Sequence, residues 1–206
     1  MLGTILCCLI VGYLFGCIQT GYLYAKAKGV DIRKHGSGNS GATNTLRVMG
    51  KKAGAVTYIG DALKAVLAAL MVRYLIFPDS SLGGTFLTAL TGLGVVLGHN
   101  YPFYLKFKGG KGIAVTSAVV IMIDWRIAVP LFFVFVIVAY VTRYVSVASL
   151  TAVTLVPILI AIFHWDDKGV IIVSILLAIF AWIRHRGNVK RLIDGTENRF
   201  GSKKKE

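Results

Sequence analysis

Acid is scarce in this sequence. Asp and Glu number 9 against 23 Lys and Arg, a formal net charge of +14 over 206 residues. His, Asp, Glu and Cys are too scattered for a zinc site. Cys7, Cys8 and Cys17 all lie in the first apolar run and read as small buried hydrophobes, not as a disulfide or metal set. No hydrolytic triad, nucleotide-binding fold or internal repeat is visible, and the missing repeat disfavours many inverted-repeat transporters. No Lys or Arg precedes the first apolar run, so a cleaved signal would lack its basic start, although Leu14-Phe15-Gly16-Cys17 faintly resembles a lipoprotein cleavage box.

What the chain does have is apolar length. The composition is 56% hydrophobic, in several runs, which points to an all-α integral membrane protein. One polytopic domain over residues 1–206 is expected, with seven transmembrane helices near 4–25, 53–77, 84–99, 112–123, 127–142, 147–164 and 169–183, then a basic tail over 184–206. The fourth span is short for a hydrocarbon core of roughly 30 Å. Merging it with the fifth would put Asp124 and Arg126 in mid-bilayer, so a hairpin with Asp124-Trp125-Arg126 at the surface is preferred, with Pro130 in the early turns of the next helix. Gly12 and Gly16 form a small-xxx-small pair that lets another helix approach.

The charges flank these runs, which suits lipid head groups and anionic substrates better than nucleic acid. Lys26, Lys28, Arg33, Lys34, Arg47, Lys51 and Lys52 follow the first span, Lys106, Lys108 and Lys111 the third, and Arg143 the fifth. Arg184, Arg186, Lys190, Arg191, Arg199 and the Lys203–Lys205 run follow the seventh. The other loops hold Asp79, Asp124, Asp166 and Asp167 with Arg126 and Lys168, so the N-terminus is expected outside and the C-terminus in the cytoplasm.

Every polar motif then falls on the cytoplasmic face. His35-Gly36-Ser37-Gly38-Asn39-Ser40-Gly41-Ala42-Thr43-Asn44-Thr45-Leu46-Arg47 reads as an anion cradle. Its glycines allow positive φ and converging N–H groups, Ser37, Asn39, Thr43 and Asn44 add neutral donors, and Arg47 adds a fixed cation. The bland alternative is a turn between two helices. Gly98-His99-Asn100-Tyr101-Pro102 leads to Lys108-Gly109-Gly110-Lys111-Gly112, a phosphate-binding pattern just before a helix. It is not a Walker A loop, because the spacing is absent and Gly112 replaces the metal-binding hydroxyl. Arg184-His185-x-x-Asn188 places His185 and Asn188 on one face if the seventh helix continues. Ser146 is a plausible cap of the sixth helix and a candidate substrate contact.

Asp61 and Lys64, three apart within the second span, read as a structural pair beneath the first loop, with Thr57 on the same polar face. Arg73 is expected to snorkel, and His164 lies toward the outer surface in a bland role. His99 sits at a helix end, where a satisfied structural role is at least as well supported as catalysis.

Taken together, Gly36-Ser37-Gly38-Asn39-x-Gly41-Ala42-Thr43-Asn44-x-x-Arg47, Gly98-His99-Asn100-Tyr101-Pro102 with Lys108-Gly109-Gly110-Lys111-Gly112, and Arg184-His185-x-x-Asn188 with Glu197 resemble the bacterial membrane-integral acyl-phosphate:glycerol-3-phosphate acyltransferases. The resemblance covers essentially the whole chain. It departs at Gly187, where the family often has Glu, and at Ser40 and Thr45, which fill commonly apolar positions.

The resemblance implies acyl transfer from acyl phosphate to the 1-hydroxyl of glycerol 3-phosphate, giving lysophosphatidic acid and phosphate, the first acylation of phospholipid synthesis. It implies no cofactor or metal, and a bacterial cytoplasmic-membrane enzyme whose active site faces the cytoplasm. Activity residues carry over to Ser37, Arg47, His185 and Asn188. Glycerol 3-phosphate binding carries over to Gly109, Gly110, Lys111 and Gly112, and Glu197 carries a supporting role. Gly38, Asn39, Gly41, Thr43, Asn44, His99, Asn100, Lys108 and Ser146 complete the candidate substrate contacts. The proton of the attacking hydroxyl goes to His185 or to the departing phosphate, the second being preferred because no carboxylate is evidently aimed at His185. Whether a partner protein delivers the donor stays open. The competing class is a transporter or exchanger of an anionic metabolite, which should line a path to the outer face with polar groups.

Overall fold

A computed structural model describes residues 1–201, and the Lys203–Lys205 run lies outside them. Among the described residues every regular element is helical. The helices gather into two compact units, residues 1–123 and the described residues from 124 onward.

The first unit holds α1 (Leu2–Gly16), α2 (Thr20–Ala27), α3 (Ala42–Met49), α4 (Lys51–Leu70), α5 (Gly84–Asn100) and α6 (Ile113–Ile123). α4 runs on through a wider π-helical stretch, Met71–Ile76. α5 is the centre of this unit, buried almost throughout from Leu87 to Asn100. It packs chiefly on α1, and also on α4 and α6. The crossing of α1 and α5 is glycine on glycine. A Cβ on Gly12 would collide with the carbonyl of Thr91, and one on Gly98 with that of Tyr13. Such contact lets backbones approach without a hydrophobic driving force, as the Gly12 and Gly16 spacing predicts. The threonines buried in α5 bond their own helix: Thr88 donates to Gly84 and Thr91 to Leu87, each at 2.8 Å.

The second unit holds α7 (Trp125–Thr142), α8 (Val145–Phe163) and α9 (Lys168–Ile193), packed in sequence. Asp124 starts α7 by accepting from the Arg126 N–H at 2.9 Å. The helices therefore break at Asp124, within the expected tripeptide, and Pro130 lies inside α7. His164, read as bland, lies 3.1 Å from Asp124 through its Nε2. The neighbouring Arg126 guanidinium is the main cause that holds the Asp124 carboxyl well below the usual range.

Among the described residues five segments, against the seven spans expected, are long and apolar enough to cross a membrane: Leu2–Ala27, Lys51–Ile76, Trp125–Thr142, Val145–Phe163 and Lys168–Ile193. Large apolar side chains stand exposed on them, among them Leu6, Ile10, Phe132, Phe133 and Ile137. In water such surface would be a liability, and in a bilayer it is the normal lipid-facing coat.

Two expected boundaries move. The first span, drawn as one helix over 4–25, breaks at Cys17–Gln19, because the carbonyls freed there find buried donors. The seventh, drawn to 183, continues through Gly187 to Ile193, and the chain leaves the helix before Gly195, whose φ is +67°.

Candidate active site

The polar motifs form one group of loops in the first unit and one helix end in the second. In the first unit the loop after α2 is closed by its own side chains. Asp31 accepts from the Arg33 N–H and pairs with its guanidinium at 2.9 Å, which holds the exposed carboxyl down to about 2. Asn44, on the first turns of α3, is buried and acts as the keystone. Its Oδ1 accepts from the Ser37 N–H at 2.9 Å, and its Nδ2 donates to the carbonyls of His35 at 3.0 Å and Asn39 at 2.9 Å. Gly36 is required there. Its φ is +60°, and a Cβ would strike the Asn44 Oδ1. Asn44 was expected to offer donors to an anion, and in the structure its side chain shapes the loop instead. Ser37, Gly38, Thr43 and Arg47 are exposed around that frame. Gly41 precedes the first helical residue, so the start of α3 faces this loop. At the other side of α3, Thr45 donates to Thr57 at 3.0 Å, fastening the short helix to α4.

The second loop is folded on the end of α5. Gly109 N–H donates to the Asn100 carbonyl at 3.1 Å, and Gly110 N–H to the His99 carbonyl at 2.9 Å. A Cβ on Gly109 would collide with the His99 carbonyl, and one on Gly110 with the His99 ring. The two loops touch, since Asn39 Nδ2 lies 3.4 Å from the Gly109 carbonyl. Gly109, Gly110 and Gly112 are buried, whereas Lys108 is exposed and Lys111 half-buried. Asn100 is fully buried, and its side-chain amide has no hydrogen-bond partner among the described residues.

Beneath this loop lies a buried charged cluster. Lys64 Nζ is 2.9 Å from Asp61 Oδ1, 3.0 Å from His99 Nδ1 and 3.1 Å from the Gly16 carbonyl. The expected pairing of Asp61 with Lys64 is present. The sequence reading missed that it also seats His99 and satisfies the break after α1. Its signal was the polar Gln19-Thr20 step inside an apolar run.

In the second unit the helix end carries the rest. His185 and Asn188 are both buried on one face of α9, as their spacing requires. His185 Nδ1 lies 2.7 Å from the Ala181 carbonyl. In the neutral ring that bond places the proton on Nδ1 and the lone pair on Nε2. After α9 the chain turns back, and the Glu197 carboxylate gathers three donors: Asn188 Nδ2 at 2.6 Å, Arg191 Nε at 2.7 Å and Ser146 Oγ at 2.9 Å. Burial pushes this carboxyl up, but the three hydrogen bonds outweigh it and hold it below its ordinary range. Ser146 was expected to cap α8. That helix begins at Val145, so Ser146 stands in its first turn and its hydroxyl goes to Glu197 instead. Arg199, 3.1 Å from the Tyr144 hydroxyl, and Phe200, whose N–H donates to the Arg143 carbonyl at 2.7 Å, complete the fold-back.

A family model described as glycerol-3-phosphate acyltransferase matches residues 6–195. The chain is 42% identical over 195 residues to a glycerol-3-phosphate acyltransferase of Thermoanaerobacter sp. (strain X514), covering 94% of each. It is 40% identical over 199 residues to one of Clostridioides difficile (strain 630), covering 95% of each. Among solved structures it is similar to PlsY (YgiH), an integral membrane glycerol 3-phosphate acyltransferase. The glycerol 3-phosphate form gives TM-score 0.86 at 38% identity, covering 96% of each chain. The lysophosphatidic acid form gives 0.83 at 38% identity, covering 96% of this chain and 95% of the other.

Proposed function

The chain belongs to the glycerol-3-phosphate acyltransferase family, and from that premise we propose that it moves a fatty acyl group from acyl phosphate to the 1-hydroxyl of glycerol 3-phosphate. The products are lysophosphatidic acid and inorganic phosphate. The observation that carries the reading is the second loop: a lysine-bearing glycine turn folded on a buried histidine directly before α6, in a chain of membrane-crossing helices.

An acyl phosphate is a mixed anhydride and already activated, so no covalent enzyme intermediate is needed. The protein's work is to hold the acceptor hydroxyl at the carbonyl carbon and to stabilise the oxyanion that develops there. Gly109, Gly110, Lys111 and Gly112 take the phosphate of glycerol 3-phosphate, helped by Lys108 and Asn39. Ser37 and the backbone N–H groups of the first loop serve the oxyanion. Exposed Arg47 neutralises the leaving phosphate. The hydroxyl oxygen bonds to the acyl carbon, the carbon–oxygen bond to phosphate breaks, and the departing phosphate takes the proton. His185 and Asn188 serve the same reaction by orientation, and the Glu197 cluster keeps them in register. The loops face the cytoplasm, in the cytoplasmic membrane of a bacterium, and the donor enters from the bilayer.

The test is acyl transfer by purified protein in lipid, with labelled glycerol 3-phosphate and no added metal. Palmitoyl phosphate is supplied in one series and palmitoyl-CoA in another. Product from palmitoyl phosphate alone, abolished in Ser37→Ala, is expected. Product from the CoA ester alone would overturn the donor, and no product from either by folded protein would favour an anion transporter. His185→Gln should still bind glycerol 3-phosphate and keep measurable turnover. Loss of nearly all turnover with binding intact would make its Nε2 the base.

A further inference from the structure

Gln19 stands in the break between α1 and α2 and is 1% exposed. A buried amide needs partners on both ends, and this one finds them on three separate segments. Its Nε2 donates to the Gly16 carbonyl at 3.2 Å and to the His99 carbonyl at 3.0 Å. Its Oε1 accepts from Ser40 Oγ at 3.0 Å. The His99 carbonyl is the same one that receives the Gly110 N–H at 2.9 Å. Ser40 is buried and adjoins Asn39, whose amide faces the Gly109 carbonyl. One side chain thus joins the membrane-embedded break, the first loop and the carbonyl on which the glycine turn is folded.

We infer that Gln19 is a positioning residue that locks the first loop and the Gly109–Gly112 turn to one anchor and so sets the affinity for glycerol 3-phosphate; this rests on the acyltransferase reading. Satisfying the helix break is not its main task, because Lys64 Nζ also donates to the carbonyls of Gly16 and Ile18. Nor does it touch substrate. It acts through the carbonyl of His99 and the hydroxyl of Ser40.

The test uses the full chain in detergent, with Gln19→Met, which keeps volume and removes every polar atom. KM for glycerol 3-phosphate should rise about tenfold while kcat stays within about threefold, the size expected from losing a buried hydrogen-bonded link. Ser40→Ala should raise KM by a smaller factor. The double variant should be no worse than Gln19→Met alone, because both remove one connection. Amide exchange gives a readout that needs no turnover. Residues 37–41 and 109–112 should exchange faster together in Gln19→Met, while the middle of α9 is unchanged. KM within about twofold of wild type together with unaltered loop exchange, or strictly additive effects of the two substitutions, would overturn the proposal. Should Gln19→Met fail to fold, Ser40→Ala, which deletes one hydroxyl, decides by the same two readouts. Wild-type protein that makes no lysophosphatidic acid would instead defeat the acyltransferase reading, and the exchange comparison would still judge the link.

Discussion

The loops of the first unit and the helix end of the second are held by different physics. In the first unit, shape is set by neutral groups. Asn44 shares its amide among loop segments, and Gly109 and Gly110 lie flat against His99. Charge enters beneath, in the buried Asp61–Lys64 pair, and at the surface, in the exposed Asp31–Arg33 pair. In the second unit, one carboxylate does the fastening, since Asn188, Arg191 and Ser146 all converge on Glu197. A site part built on steric closeness should tolerate acid and fail on added volume. A part built on an ionised carboxylate should do the reverse.

The largest break should come from Lys64→Met. It leaves Asp61 buried without its partner ion, a loss of about 3–5 kcal/mol in stability. Thermal unfolding should show it, and Asp61→Asn added to Lys64→Met should recover part of the loss. Gly109→Ala comes next. Its Cβ would meet the backbone carbonyl of His99 and the ring of Pro102, neither of which can rotate away. Overpacking of this kind costs about 1–3 kcal/mol, and acyl transfer should fall by roughly one to two orders of magnitude. The second unit's helices should keep their amide protection.

Acid sharpens the contrast. The Glu197 carboxyl is held below its ordinary range in the folded chain. Its contribution to stability is therefore full above the ordinary glutamate range, near pH 4.3, and is lost as pH falls through the lower folded value. Amide exchange of residues 188–200 should rise on acidification while the first loop stays protected. Glu197→Gln should remove that dependence, with a loss of about 1–3 kcal/mol at neutral pH from its charged hydrogen bonds. The smallest effect belongs to Asp31→Asn. The Asp31–Arg33 pair is exposed, and KM should stay within about twofold of wild type.

Much of this was legible because it is written in spacing. Asp124-Trp125-Arg126 marked the break between α6 and α7, since two charges in mid-bilayer cost too much. Gly12 and Gly16 announced a close helix contact, and the three motifs announced the family. What stayed hidden depends on tertiary partners. The break at Cys17–Gln19 lies in an apolar stretch whose freed carbonyls are satisfied by Lys64, 45 or more residues away in sequence. Asn44 and Ser146 are small polar residues at helix starts, where propensity suggests a donor to a ligand or a cap. Only the folded loops show that both are committed to the protein itself. His164 could not be matched to Asp124 without the pairing of α7 with α8.

The proposed function turns on whether the glycine turn folded on His99 holds glycerol 3-phosphate. Calorimetric titration of glycerol 3-phosphate into purified wild type and Gly109→Ala, without acyl donor, tests it most directly. Wild type should show saturable one-site binding that is weakened at least about tenfold in Gly109→Ala, with both proteins folded. Equal binding by the two proteins, or none by folded wild type, would contradict it.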